Sequence, residues 1–218
     1  MAAIYSLKAI YFGNGNKMAR NWVYSYLEKI NMQGESRRAR FEACTLPHIQ
    51  AAYNLARWLA RSDGDAEDIV QEAYLRAFRF FDGFHGDDAR TWLLAIVRNT
   101  TYTWLKQNRA HNMSVAFDEE FHSLDAADVA GWINSPDNNP QAVLTRNADA
   151  LQLNRALELL PLEFREVVIL RELEEMSYKQ IAHIADIPVG TVMSRLARGR
   201  KLLSESLRQM NKEACNGL

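Results

Sequence analysis

Along most of the chain, apolar residues recur at the 3.6-residue spacing of helices, and no stretch keeps the strict alternation of a half-buried strand. From about 39 to 61 the repeat runs through Phe41, Leu46, Ile49, Ala52, Tyr53, Ala56 and Leu59. The polar stretch SDGDAED, residues 62–68, interrupts it. Asp65 is the predicted N-cap of the next helix, with Glu67 and Asp68 placed to favour the positive end of its dipole. That helix repeats apolar residues at Ala66, Ile69, Val70, Ala73, Tyr74, Ala77 and Phe80. FDGFHGDD reads as a loop. A further helix runs from about Ala89 to Asn108, with Leu93, Ile96, Val97, Thr100 and Trp104 on one side.

Residues 110–139 sustain no period, and the punctuation SPDNNP reads as linker. Asn139 and Pro140 look like the N-cap and first-turn proline of a helix reaching about Leu160. Pro161 restarts the chain, and Phe164, Val167, Val168 and Leu170 line another short helix. Ser177 and Gln180 fit the S-x-x-Q capping box. Ile181, Ala182 and Ala185 then form the inner face of a helix of barely two turns. Asp186 stands where the turn needs a left-handed backbone, and Pro188 pre-sets the start of the next helix. Val189, Val192, Leu196 and Leu203 should face inward. The expected fold is all-α: a helical domain over 37–109, a flexible acidic linker over 110–139, and a second helical domain over 140–218. Residues 1–36 form an N-terminal extension in which RNWVYSYLEKI could make a short amphipathic helix; the pattern gives it no role.

Charge sharpens this division. The whole chain carries a net charge of −1, so it is no polycation, and any affinity for nucleic acid must be local. Residues 111–145 hold six acids and no Lys or Arg, whereas 195–212 hold Arg195, Arg198, Arg200, Lys201, Arg208 and Lys212 against Glu205 alone. The two cysteines, Cys44 and Cys215, make no CxxC pair, which suits free thiols in a reducing cytoplasm. No apolar run approaches the roughly 20 residues of a membrane span. The start, MAAIYSLKAIYFGNGN, does not read as a secretory signal. A cytoplasmic location without membrane insertion is expected.

Two short helices around a sharp turn, the second polar and basic in its N-terminal half, make a helix-turn-helix. Ala182 is small where the helices approach, and Val192 plugs the corner. Thr191, Ser194, Arg195 and Arg198 fall on an outward stripe. Arg195 and Arg198 can pair with guanine edges or grip phosphate, Thr191 and Ser194 can meet phosphate or base edges, and Arg200 and Lys201 can neutralise the DNA backbone.

LPLEFREVVILRELEEMSYKQIAHIADIPVGTVMSRLARGRKLL resembles region 4 of bacterial RNA polymerase sigma factors. GDAEDIVQEAYLRAFRFFDGFHGDDARTWLLAIVRNTTYTWLKQ resembles their region 2. The two joined only by a linker are similar to the extracytoplasmic-function (ECF) subgroup. Asp186 departs from the glycine commoner at that turn. The resemblance implies a protein that binds core RNA polymerase, through the β′ clamp helices and the β subunit, and directs it to promoter DNA. Asp68, Gln71, Glu72, Leu75 and Arg76, which lie away from the apolar seam, would dock on the clamp helices. Arg98, Asn99, Tyr102, Lys106 and Arg109 would meet the −10 element, where cations, an aromatic ring and an amide suit unstacked bases. The FHGDDAR loop would hold a flipped base, while Trp92 and Trp104 are expected in the core. The helix-turn-helix, with Lys179 added to the residues above, would read the −35 element. The acidic linker would thread toward the RNA exit path, and an anti-sigma factor would hold the protein off.

Other classes fit less well. A free-standing helix-turn-helix regulator leaves 65–109 unexplained. A pure adaptor would have no use for the 195–212 cations. An enzyme is not expected: His48, His85, His111, His122 and His183 form no HxxxH or HExxH, and no GxxxxGK[ST] or GxGxxG loop occurs. Cys44 and His48 could share a helix face, but no third ligand lies near in sequence. No metal, cofactor or small-molecule substrate is therefore predicted.

Overall fold

The computed structural model describes the backbone over residues 35–112 and 151–216, and side chains over 37–108 and 151–212. The RNWVYSYLEKI helix, the acidic linker, the Asn139–Pro140 helix start, and the side chains of Arg109, His111, His122 and Cys215 lie outside the described residues. The described residues are helical, with no strand among them. They fall into two compact units, one built around 35–112 and the other around 151–181 and 187–216.

The first unit contains α1 (Glu35–Thr45), α2 (Ile49–Ala60), α3 (Asp63–Phe80) and α4 (Ala89–Asn112). The single helix expected over 39–61 is in fact two, parted by a 3-10 turn at Leu46–His48. Pro47 is the reason: it has no N–H to donate and disfavours helical geometry in the residue before it. α2 ends at Arg61, whose φ of 65° is left-handed. Ser62, not Asp65, is the N-cap of α3; its Oγ accepts from the Asp65 N–H at 3.3 Å. Asp65 instead contributes its charge in the first turn.

α2, α3 and α4 pack on one another around Leu55, Leu59, Ile69, Ala73, Leu93 and Val97, all buried. α1 closes this core with Phe41, which meets the rings of Tyr74, Phe78 and Phe81 edge-on at 5.2–6.2 Å between centroids. The Tyr74 hydroxyl donates to the Thr45 carbonyl at 3.0 Å, and burial pushes its pKa up. Two expected core positions are not core. Phe80 is 67% exposed while Phe78 takes the buried place, because α1 covers Phe78 with the Phe41 ring and the Arg37 guanidinium. Ile96 and Trp104 are only half-buried, and Leu94 and Thr101 supply the inner face of α4 instead.

Over 151–216, residues 151–159 form α5, followed by α6 (Leu162–Val168), α7 (Tyr178–Ala185) and α8 (Val189–Asn216). α6 does not stop at Leu170 but runs on into a π-helical turn, Ile169–Leu173, where the Glu174 N–H reaches back to the Ile169 carbonyl. Glu175 (φ 54°) then reverses the chain into α7. The capping box forms as its residues dictate: the Ser177 N–H donates to Gln180 Oε1 at 2.9 Å, and the Gln180 N–H to Ser177 Oγ at 3.3 Å. Ser177→Ala should lower the unit's stability by about 1 kcal/mol. Chemical denaturation checks this, and an unchanged midpoint would mean that the box contributes nothing.

Asp186 has φ 54°, the left-handed turn expected of it. Pro188 accepts from the Thr191 and Val192 N–H groups, opening α8. Ile181, Ile184, Ala185, Val192, Leu196 and Leu203 are buried. Val189, expected inside, is 37% exposed, since the first residue of α8 lies before its inner face begins.

Candidate polymerase and nucleic-acid interfaces

The outer face of α3 follows from the packing of its inner one. With Ile69, Val70, Ala73, Tyr74 and Ala77 buried, Asp68 is exposed and Gln71, Glu72, Leu75 and Arg76 are half-exposed. The structure thus brings all five together on one face. Arg76 Nε donates to Glu72 Oε1 at 2.7 Å across one turn, which leaves Asp68 as the uncompensated charge at the head of the face. Arg79 and Phe80 continue this surface at its far end; Phe80 is the residue that periodicity misplaced.

On α4, the Arg98 guanidinium lies 4.1 Å from the centre of the Tyr102 ring and donates to Asn99 Oδ1 at 3.1 Å. Arg98, Asn99 and Tyr102 therefore form one cluster, with Lys106 exposed one turn further on. The loop before α4 is held at both ends. Asp88 caps the helix, accepting from the Thr91 N–H at 2.9 Å and the Thr91 hydroxyl at 2.6 Å. Phe84 stacks on Trp92 at 4.7 Å between centroids. Trp92, expected in the core, is half-buried because it forms the floor of this loop. His85, Gly86 and Asp87 stand exposed above it. Beneath, burial first and the nearby Arg90 second hold the His48 imidazole below its ordinary pKa, with Asp88 opposing.

On the helix-turn-helix, Lys179, Ser194, Arg198, Arg200 and Lys201 are exposed, and Thr191 and Arg195 half-exposed. The cations differ in their bonding. Arg195 Nη2 lies 3.1 Å from Glu163 Oε2 of α6. Arg200 donates from Nε at 2.9 Å and from Nη2 to Glu172 Oε1, and this bonding raises its pKa. Lys201 and Glu205 are 3.9 Å apart with both exposed, a loose pair. Arg198 makes no ion pair with the described residues.

Sequence reasoning missed Glu163 and Glu172, and also Gly199. Gly199 is buried where α8 crosses α6, and a Cβ there would stand 2.8 Å from Val168 Cγ2. The available signal was a glycine inside an otherwise helical repeat, which often marks close packing. Among the described residues no group of His, Cys, Asp or Glu could hold a metal ion, and no helix is long and apolar enough to cross a membrane.

The first unit coincides with a match to the family model Sigma-70 region 2, over residues 46–111. The second coincides with Sigma-70, region 4, over 150–203. The ECF RNA polymerase sigma-E factor of Escherichia coli (strain K12) is 36% identical over 150 residues, covering 67% of this chain and 76% of that protein. The chain belongs to the ECF sigma factors. A sigma-E factor of Haemophilus influenzae is 31% identical over 158 residues, covering 72% of this chain and 80% of that protein. Two solved structures share the fold. The sigma factor RpoE of Bartonella quintana, in complex with the anti-sigma factor NepR, has a TM-score of 0.59 at 24% identity, covering 78% of this chain and 97% of that one. CnrH, in complex with the cytosolic domain of CnrY, has a TM-score of 0.52 at 20% identity, covering 88% and 98%. An ECF sigma factor binds core RNA polymerase and directs it to promoters, region 2 melting and reading the −10 element and region 4 reading the −35 element. That is the function of this chain, and sigma factors are not a family of enzymes.

Proposed function

We propose that this sigma factor docks on the β′ clamp helices of core polymerase through Asp68, Gln71, Glu72, Leu75 and Arg76, with Phe80 as an apolar extension of that face. The observation that carries this reading is the outer side of α3. An exposed carboxylate heads it, an ion pair fixes its middle, and a large ring is left uncovered at its end. Complementary charge steers and orients such a contact, and a desolvated ring anchors it. The boundaries 37–109 and 140–218 are the working limits of the polymerase-binding and −35-reading domains, with 110–139 as linker.

In the same reading, Arg98, Asn99, Tyr102, Lys106 and Arg109 take the −10 strand. Cations there meet phosphate while the Tyr102 ring and the Asn99 amide meet unstacked bases. The loop above Trp92 receives a flipped base. Lys179, Thr191, Ser194, Arg195, Arg198, Arg200 and Lys201 engage the −35 element. An anti-sigma factor holds the protein inactive in the cytoplasm; the RpoE–NepR complex of a structural relative supports this partner class.

The test is reconstitution with bacterial core RNA polymerase, followed by gel filtration and sequencing of transcripts from a genomic library. Co-migration with new, discrete start sites is the expected result. Failure to co-migrate, with binding to particular duplexes retained, would hand the case to a free-standing regulator.

A further inference from the structure

The first turns of α8 are less cationic toward solvent than their sequence suggests. Ser194, Ala197, Arg198 and Lys201 share one exposed face at i, i+3, i+4 and i+7, and Met193 lies beside Ala197 one turn before it. Met193 is 51% exposed. The Ser194 hydroxyl donates back to the Thr191 carbonyl at 3.0 Å, so its proton is already engaged. Arg195 and Arg200 lie off this face, held by Glu163 and Glu172. In these first turns, what remains to meet base edges is one guanidinium without an ion pair, Arg198, and an apolar pair, Met193 and Ala197, with the loosely paired Lys201 one turn further on.

Given that α8 is the −35-reading helix, as proposed above, we infer that thymine 5-methyl groups seated on Met193 and Ala197, together with one guanine paired to Arg198, specify the −35 element of this sigma factor. In the major groove the thymine methyl is the apolar mark that distinguishes it from cytosine, and small or flexible apolar side chains are the groups that meet it. Guanine offers O6 and N7 to a bidentate arginine. Arg195 and Arg200 are positioning and phosphate-holding residues: a guanidinium has five donors, so one carboxylate partner leaves others for the DNA backbone.

The experiment uses holoenzyme assembled from the full chain and core polymerase, selecting promoters from a library randomised over the upstream element. On the selected promoter each thymine of that element is replaced by deoxyuridine, which removes only the methyl group. Promoter affinity should fall about fourfold at one or two positions, the worth of a buried methyl. In Met193→Gln, whose exposed site tolerates the change, the fall at the position facing Met193 should vanish. Arg198→Ala should erase a guanine preference of about tenfold. Arg195→Ala should weaken all promoters alike and leave the selected sequence unchanged. A selected −35 sequence indifferent to deoxyuridine would overturn the inference while leaving α8 as the reading helix. Loss of base preference in Arg195→Ala would likewise overturn it. No upstream preference at all would remove the reading of α8 itself, and this inference with it.

Discussion

Asp68→Arg combined with Glu72→Arg is expected to lower the affinity for core polymerase by more than about a hundredfold, because two like-charge encounters with a basic partner face each cost a few kcal/mol. The fold should survive. Asp68 is exposed and Glu72 half-exposed, and neither touches the core built on Ile69, Ala73 and Leu93. Losing the Glu72–Arg76 pair and setting like charges one turn apart costs the helix only about 0.5 kcal/mol each. Circular dichroism of the variant should match the parent, and gel filtration with core polymerase reads the binding. Binding within about threefold of the parent would mean that α3 is not the docking helix. Phe80→Ser offers a separate check at the other end of that face, where a weaker loss with an unchanged fold is expected.

Gly199→Val should destabilise the second unit by about 2–3 kcal/mol, within the usual range for overpacking a filled core. On an exposed helix, replacing glycine gains stability, about 1 kcal/mol for alanine. Here the sign reverses because the added Cβ would come 2.8 Å from Val168 Cγ2 and 3.4 Å from both Phe164 Cβ and the Phe164 carbonyl. Val168 is buried and β-branched, so it has little freedom to turn away. Urea denaturation measures the loss. Val168→Ala in the same chain should recover part of it, since the two sites are in contact and their effects should not add. A Gly199→Val protein as stable as the parent would show that α8 and α6 do not cross as closely as described.

Much of this was legible in the sequence because the signals were local. The Ser177–Gln180 box, the left-handed Asp186 and the proline before α8 each concern a few neighbouring residues whose chemistry leaves little choice, and each stands where it was expected. The split of the first expected helix was equally local, and Pro47 announced it. The capping of α3 was harder: three polar side chains within four residues offered several candidates, and Ser62, following the left-handed Arg61, took the cap in place of Asp65. The core face of α3 was right until its last turn, where Phe41 and Arg37 of α1 cover Phe78 and leave Phe80 outside. Periodicity within one helix does not say which side a neighbouring helix will cover.

For the proposed site residues, exposure on their helices was legible from the apolar repeat, and the bonding of individual charges was not. Glu163 and Arg195 are 32 positions apart, and Glu172 and Arg200 are 28. Only the crossing of α6 and α8, made close by Gly199, brings such pairs together. An arginine in a sequence declares its charge but not its partner.

Those two ion pairs bear on how promoter binding should answer to ionic strength. A free cation that meets a phosphate sends a condensed counterion into solution, and each such release steepens the fall of affinity with salt. Arg195 and Arg200 already carry carboxylates as their counterions, so a phosphate that engages them competes with Glu163 or Glu172 and releases less. The salt dependence of −35 binding should therefore track Arg198 and the loosely held Lys201 more closely than the count of basic residues on the helix.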